Sequence, residues 1–220
     1  MRIDHVRDDI ERNGFAEVVF KPSKSMRLEL DVQNVASQLG KVVAGRSSRK
    51  VETLSPQGRN TAHLKSLSAV YGKASLPLHV DQSHRPTPCR YIVMTCVEAS
   101  SNPANTILLS HVRNRLNEQQ QNTLRESIFF IRNGRNSFYS SALNQRRGFI
   151  RWDPACMEPQ NDAAFEAAEF LGTMQERHPT RCVEWTIGKY LIIDNWRCLH
   201  GRSSCHNDTQ TRTLLRVSVT

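Results

Sequence analysis

From Leu76 onward the chain is built of short apolar runs separated by Pro, Asn and Ser clusters, and runs this short can form strands but not long helices. Leu76 to Val80, Tyr91 to Val97 and Thr106 to Ser110 read as successive strands, followed by Ser127 to Arg132, Cys182 to Thr186, Tyr190 to Ile193 and Thr213 to Val219. Phe15 to Phe20 adds an early strand rich in β-formers, whereas Ser47 to Gly58 is polar and turn-rich and reads as loop with at most one short strand. Helices flank this pattern. Asp4 to Asn13 ends at Gly14, and Leu30 to Leu39 closes at Gly40. Asn117 caps a helix through Arg125, with Gln120 placed to complete a capping box. Ala164, Ala167, Ala168, Leu171 and Met174 recur at helical spacing after a cap at Asn161 or Asp162. The prediction is a mainly β chain with flanking helices (α+β), a jelly roll whose two sheets enclose a cavity.

Length and composition agree with one domain over residues 1–220, since 220 residues with 38% apolar content can bury a core. No apolar run approaches the roughly 20 residues that span a bilayer, and Met1 to Arg12 mixes both charges. The expectation is a cytoplasmic protein with no membrane partner. Six cysteines without a C-x-x-C pair read as free, mostly buried thiols. A zinc site from Cys198, His200, Cys205 and His206 lacks the paired spacing of structural zinc motifs. The net charge of +9 suits an anionic partner, but the arginines are scattered and no basic tail or run concentrates them. Charge alone does not choose among a nucleic acid, a small metabolite and a merely solubilising surface.

Chemistry concentrates in His79-Val80-Asp81 and, far downstream, Leu199-His200-Gly201-Arg202. Side chains at i and i+2 of a strand share a face, so His79 and Asp81 can reach one metal ion together. His200, following the apolar Tyr190–Ile193 run, can supply a third ligand from a loop. Two imidazoles and one carboxylate hold one face of an octahedral metal and leave the other open. Alone, the H-x-D pattern is common, and a strand histidine is usually a packing or surface residue.

The segments Leu76-Pro-Leu-His-Val-Asp81, Ala104-Asn-Thr-Ile-Leu-Leu109, Trp185 to Arg202 and Arg212-Thr-Leu-Leu-Arg216 resemble the taurine dioxygenase and clavaminate synthase-like family of Fe(II)/2-oxoglutarate oxygenases. The resemblance runs from about Tyr71 to the C-terminus, with no counterpart for Asn133 to Asp162. It implies that His79, Asp81 and His200 are catalytic metal ligands for Fe(II), with 2-oxoglutarate and O₂ as co-substrates. It places Arg212 against the far carboxylate of 2-oxoglutarate and Thr106 in support, a bidentate contact suited to a guanidinium. An acid at position 81 implies oxygenation or desaturation over halogenation.

Arg216 shares a strand face with Arg212 and is either a substrate contact or half of a structural ion pair. Arg151, Gln82 and Arg85 are further substrate candidates. Asp194-Asn195 reads as a hydrogen-bonding support for the His200 loop, and Trp185 and Trp196 as packing. The polar, Arg-rich stretch Asn133 to Asp153 reads as a connection lying over the site, with Tyr139 and Trp152 able to close a pocket. The implied activity is hydroxylation or desaturation of a small anionic or amino-acid-like metabolite, with release of succinate and CO₂. The alternatives are a nucleic-acid demethylase of the same cofactor class and a non-catalytic jelly-roll binding protein. The first is disfavoured because no basic run or interleaved aromatic platform is present.

Overall fold

The architecture follows from strands that place different residues on their two faces. In the computed structural model, which describes residues 3–19, 28–45, 48–63, 66–205 and 211–220, six strands form the larger sheet. They are β1 (Phe15–Val19), β2 (Val42–Val43), β3 (Val51–Leu54), β5 (Tyr91–Ala99), β11 (Lys189–Asp194) and β13 (Arg212–Val219). Their order is β1-β11-β5-β13-β2, with β3 paired to β13 alone. A smaller sheet runs β10 (Arg181–Val183), β6 (Thr106–Leu109), β12 (Leu199–Arg202) and β4 (Leu76–His79). All these pairings are antiparallel.

Alternation decides which residues face the interior. Ile92, Met94 and Cys96 of β5, Leu191 and Ile193 of β11 and Leu214 of β13 pack with Leu108 and Val183 of the smaller sheet, forming the layer between the sheets. The intervening residues, Val93, Ile192, Leu215 and Val217, meet Val6 and Ile10 of α1 (Ile3–Asn13) and Val32, Val35 and Ala36 of α2 (Leu28–Ser37) on the outer face. The outer face of the smaller sheet, through Leu78, Leu109 and Leu199, is covered by a third layer. That layer comprises α4 (Glu118–Glu126), α5 (Asp162–Gly172) and a sheet ordered β8 (Phe138–Ser140), β7 (Phe129–Ile131), β9 (Met157–Pro159). Two short α-helices, α3 (Leu67–Tyr71) and α6 (Met174–Arg177), and two 3-10 turns at Val112–Arg115 and Gly134–Asn136 complete the described elements.

The jelly-roll expectation is met, and so are the local signals behind it. Asn117 and Gln120 form the capping box of α4, and Asn161 accepts from the Ala164 amide at the start of α5. The turn-rich 47–58 stretch holds one short strand, β3, within the expected limit; Ser47 itself lies outside the described residues, as do Phe20 and His206. Two expectations need correction. His200 lies in strand β12, directly opposite His79, rather than on a loop. The 133–153 stretch is not a cover over the cavity. It supplies β8 and a buried segment in which Phe149, Ile150, Arg151 and Trp152 are each at most 4% exposed. Its apolar residues are spaced too irregularly for a pattern to show, which is why polarity dominated the reading.

Candidate functional site

A cavity of about 700 Å³ opens between the two sheets, lined by His79, Asp81, His200, Thr106, Arg212 and Arg216 together with residues of β3 and of the loop that follows it. The placement is a consequence of register. His79 and His200 are cross-strand partners, so their rings lie side by side with centroids 4.5 Å apart. Asp81 follows two residues after His79, just past the end of β4, and its Oδ1 sits 3.6 Å from His79 Nε2 and 3.8 Å from His200 Nε2. Among the described residues, these three form the one group of metal-ligating side chains, with donor atoms within 4.8 Å of one another.

The donors fit a divalent metal. Adjacent ligands on an octahedron with bonds of roughly 2.1 Å lie about 3 Å apart, so each imidazole needs to approach Asp81 Oδ1 by less than an ångström. His79 Nδ1 is 2.9 Å from the Pro77 carbonyl, which fixes the proton on Nδ1 and leaves the Nε2 lone pair facing Asp81. Burial, with His79 beside it, lowers His200 to about 3 and keeps that ring neutral. Burial alone would lower His79 as well, but the Asp81 carboxylate outweighs it and leaves this ring above its ordinary value. Burial would raise Asp81, yet Arg216 and the two imidazoles hold it well below the usual carboxylate range.

The second oxygen of Asp81 is already occupied. Oδ2 accepts from Arg216 Nη1 at 2.6 Å, leaving Oδ1 as the oxygen turned toward the two imidazoles. The main chain of Asp81 is clamped from the other side by Asn195, whose Oδ1 accepts from the Asp81 amide at 2.9 Å while its Nδ2 donates to the Asp81 and Cys89 carbonyls. Sequence reasoning gave Asn195 a supporting role but toward the wrong partner; it holds Asp81. Asp194 does serve the segment leading to His200, through Trp196 N to Asp194 Oδ1 and Cys198 N to Asp194 O. Gly201 was missed. A Cβ there would lie 2.5 Å from the Leu76 carbonyl, so glycine lets β12 approach β4 closely enough for the two histidines to meet.

Arg212 is 7% exposed and donates to the Ala104 carbonyl and, at 3.3 Å, to Thr106 Oγ1. Thr106 in turn accepts from Trp185 Nε1 at 3.0 Å, and the guanidinium stands over the Trp185 ring. Burial, reinforced by nearby Arg202, lowers Arg212 to about 9. Arg202 is also buried and donates to the Gly72 and Ala74 carbonyls. Among the described residues neither arginine forms an ion pair with a carboxylate. Two buried cations lining one cavity without an anion give a binding place for one.

The remaining candidates divide. Gln82 lines the cavity with a left-handed backbone (φ 60°), and its Oε1 is buried with no hydrogen-bond partner among the described residues. Arg85 lines it too and donates to the Ala44 carbonyl. Arg151 does not line the cavity. Its guanidinium donates to the Ser83, Arg85 and Pro86 carbonyls and so holds the turn that follows Asp81. Tyr139 is 65% exposed and packs on Phe130, and Trp152 is in the core; neither reaches the cavity. For the zinc alternative, Cys198 Sγ donates to the Gly14 carbonyl and Cys205 Sγ to the Lys73 carbonyl, while His206 lies outside the described residues.

Fold and site together form a jelly roll with a His-Asp-His group and two buried arginines in the cavity between its sheets. No family model and no curated protein matches the sequence. Among solved structures, the chain is similar to an asparagine oxygenase in complex with Fe(II), 2S,3S-3-hydroxyasparagine and succinate (TM-score 0.78, 18% identity, covering 99% of this chain and 77% of that one). It is similar to the non-haem iron oxygenase OrfP in complex with Fe and α-ketoglutaric acid (TM-score 0.77, 19% identity, 99% and 78% covered). The PvcB protein from Pseudomonas aeruginosa aligns at TM-score 0.70 and 18% identity, over 100% and 80% of the two chains. The fold expected from the resemblance is therefore the fold observed.

Proposed function

We propose that this chain is an Fe(II)- and 2-oxoglutarate-dependent oxygenase that hydroxylates or desaturates a small amino-acid-like metabolite. The observation that carries the reading is the convergence of His79 Nε2, His200 Nε2 and Asp81 Oδ1 in one cavity with Arg212, a buried guanidinium that has no carboxylate partner among the described residues. His79, Asp81 and His200 would hold the metal. Arg212, set by Thr106 and Trp185, would receive the far carboxylate of 2-oxoglutarate. When bound, iron with 2-oxoglutarate and O₂ would supply the oxidising chemistry, in which 2-oxoglutarate becomes CO₂ and succinate, which takes one oxygen atom, while the other becomes the substrate's hydroxyl on hydroxylation or leaves as water on desaturation.

The protein's own part is placement. Arg216 fixes which oxygen of Asp81 faces the metal, Asn195 fixes its backbone, and the cavity positions one substrate C–H bond. The amino-acid class is supported by the neighbours of like fold, which were solved with hydroxyasparagine and with (3S)-hydroxy-L-Arg. Fe(II) and 2-oxoglutarate added without oxygen should give a weak visible charge-transfer band, lost in His79→Ala and Asp81→Ala. An absent band, or one indifferent to both substitutions, sinks the reading. A metabolite screen for stimulated succinate release then identifies the substrate.

A further inference from the structure

Arg216 is positioned to anchor an anionic substrate, yet its guanidinium is already engaged on two sides. Nη1 donates to Asp81 Oδ2 at 2.6 Å, and Nη2 and Nε both donate to Glu52 Oε2, at 2.9 and 3.3 Å. Glu52 is the direct cross-strand partner of Arg216, on the strand that pairs only with β13. The three side chains are between 12% and 21% exposed. Two carboxylates against one guanidinium leave no charge for a third. Once Asp81 serves a metal, Glu52 remains as the counter-charge of Arg216.

The Glu52 carboxylate is also packed in place. A Cβ at Gly45 would lie 2.1 Å from its Cδ and 2.3 Å from its Oε2, so this position accommodates the carboxylate only because residue 45 is glycine. A cross-strand ion pair by itself would need no such accommodation, since exposed pairs form by side-chain adjustment and contribute only about 0.2–1 kcal/mol. In the same cavity, next in sequence to Asp81, the Gln82 amide oxygen is buried and has no donor among the described residues. Gln82 is held there by a left-handed backbone, a conformation that costs of order 1–3 kcal/mol and persists where its surroundings fix it. The three carbonyl contacts of Arg151 fix them. Asp153 contributes a further carboxylate to the lining.

We infer that Glu52 is a specificity-determining residue that withdraws Arg216 from substrate carboxylates, so that the substrate group lodged beside Asp81 is an uncharged hydrogen-bond donor, an amide N–H, received by Gln82 and Glu52. The inference rests on the oxygenase reading and narrows it. A free α-carboxylate is disfavoured at this end of the cavity, and a substrate whose carboxyl group is amidated or otherwise masked is favoured.

The test uses the full chain loaded anaerobically with Fe(II) and 2-oxoglutarate, titrated calorimetrically with the common amino acids as free acids and as the matching carboxamides. Wild type should prefer carboxamides. Glu52→Gln should shift the acid-to-amide affinity ratio toward the acid by about tenfold or more, since one unmatched charge in a partly buried site is worth at least ~1.4 kcal/mol. Gly45→Ala keeps the charge but displaces the carboxylate; it should shift the ratio the same way and serves if Glu52→Gln does not fold. Equal binding of acids and amides by wild type overturns the inference. So does a ratio unchanged by the substitutions, and so does a wild type that shows the charge-transfer band but binds neither acids nor amides. The charge-transfer band separates the two readings: an intact band with an unchanged ratio removes only the role of Glu52, and an absent band removes both.

Discussion

Replacing Arg212 by Met should make the ligand-free protein more stable while removing its response to 2-oxoglutarate. Burial lowers the Arg212 guanidinium from its ordinary 12.5 to about 9. At 1.36 kcal/mol per pK unit, the charged form is held at a cost on the order of 5 kcal/mol. Against this stand one charge-assisted bond to the Ala104 carbonyl, worth about 1.5–3 kcal/mol, and a long contact to Thr106 that adds little. Met has a similar length and no charge, so a net gain of roughly 2 kcal/mol remains, or about 4–8 °C in Tm for a chain of this size. With Fe(II) present, 2-oxoglutarate at a hundred times its Kd should stabilise wild type by about 2.7 kcal/mol and Arg212→Met by nothing. The pH dependence has a definite sign. Between about pH 9 and 12.5 the unfolded chain binds the proton that the folded chain has lost, so wild-type stability rises there. The advantage of Met is therefore full below about pH 9 and fades above it. Differential scanning calorimetry in an anaerobic cell decides the matter. A ligand-free Arg212→Met less stable than wild type by 1 kcal/mol or more would refute the cost assigned to the buried charge, and equal stabilisation of both proteins by 2-oxoglutarate would refute the assignment of the anchor.

The same reasoning gives the opposite sign at Arg151, which burial lowers to about 10 but which donates to three backbone carbonyls: Arg151→Met should lose about 3 kcal/mol and roughly 6–12 °C in Tm by thermal denaturation. Gly201→Ala should force β12 from β4 and weaken Fe(II) binding at least tenfold (about 1.4 kcal/mol), measured by anaerobic equilibrium dialysis, with the fold retained by circular dichroism. In native thiol labelling followed by peptide mass mapping, exposed Cys182 should react first. Cys89 and Cys198, buried and pushed up to about 12, should react only on unfolding.

What the sequence revealed is what short-range periodicity carries. His79 and Asp81 share a face because they are two residues apart, and Asn117 and Gln120 cap a helix because they are three apart. His200 was singled out as a candidate ligand by its resemblance, but its strand was not legible, because Leu199 to Arg202 is four residues long, contains a glycine and is defined by pairing with β4 and β6. The partners of Arg216 were equally hidden. Glu52 is 164 residues away in sequence and meets it only through the β3–β13 register. Arg151 looked like a substrate contact because an arginine near a tryptophan in a polar stretch is typical of a binding loop. Its actual partners are main-chain carbonyls, which leave no trace in side-chain pattern.

Strand β3 hangs on the larger sheet through β13 alone, whereas His200, His79 and Asp81 come from β12 and from β4 and the turn after it, in the other sheet. On the role proposed for Glu52, descent would act on the two separately: a codon change on this peripheral ribbon would alter which molecules are admitted while leaving both histidines on their own strands, so lineages sharing the scaffold would diverge in diet. For an engineer, residues 51 to 54 are accordingly the first place to randomise when a new substrate is wanted.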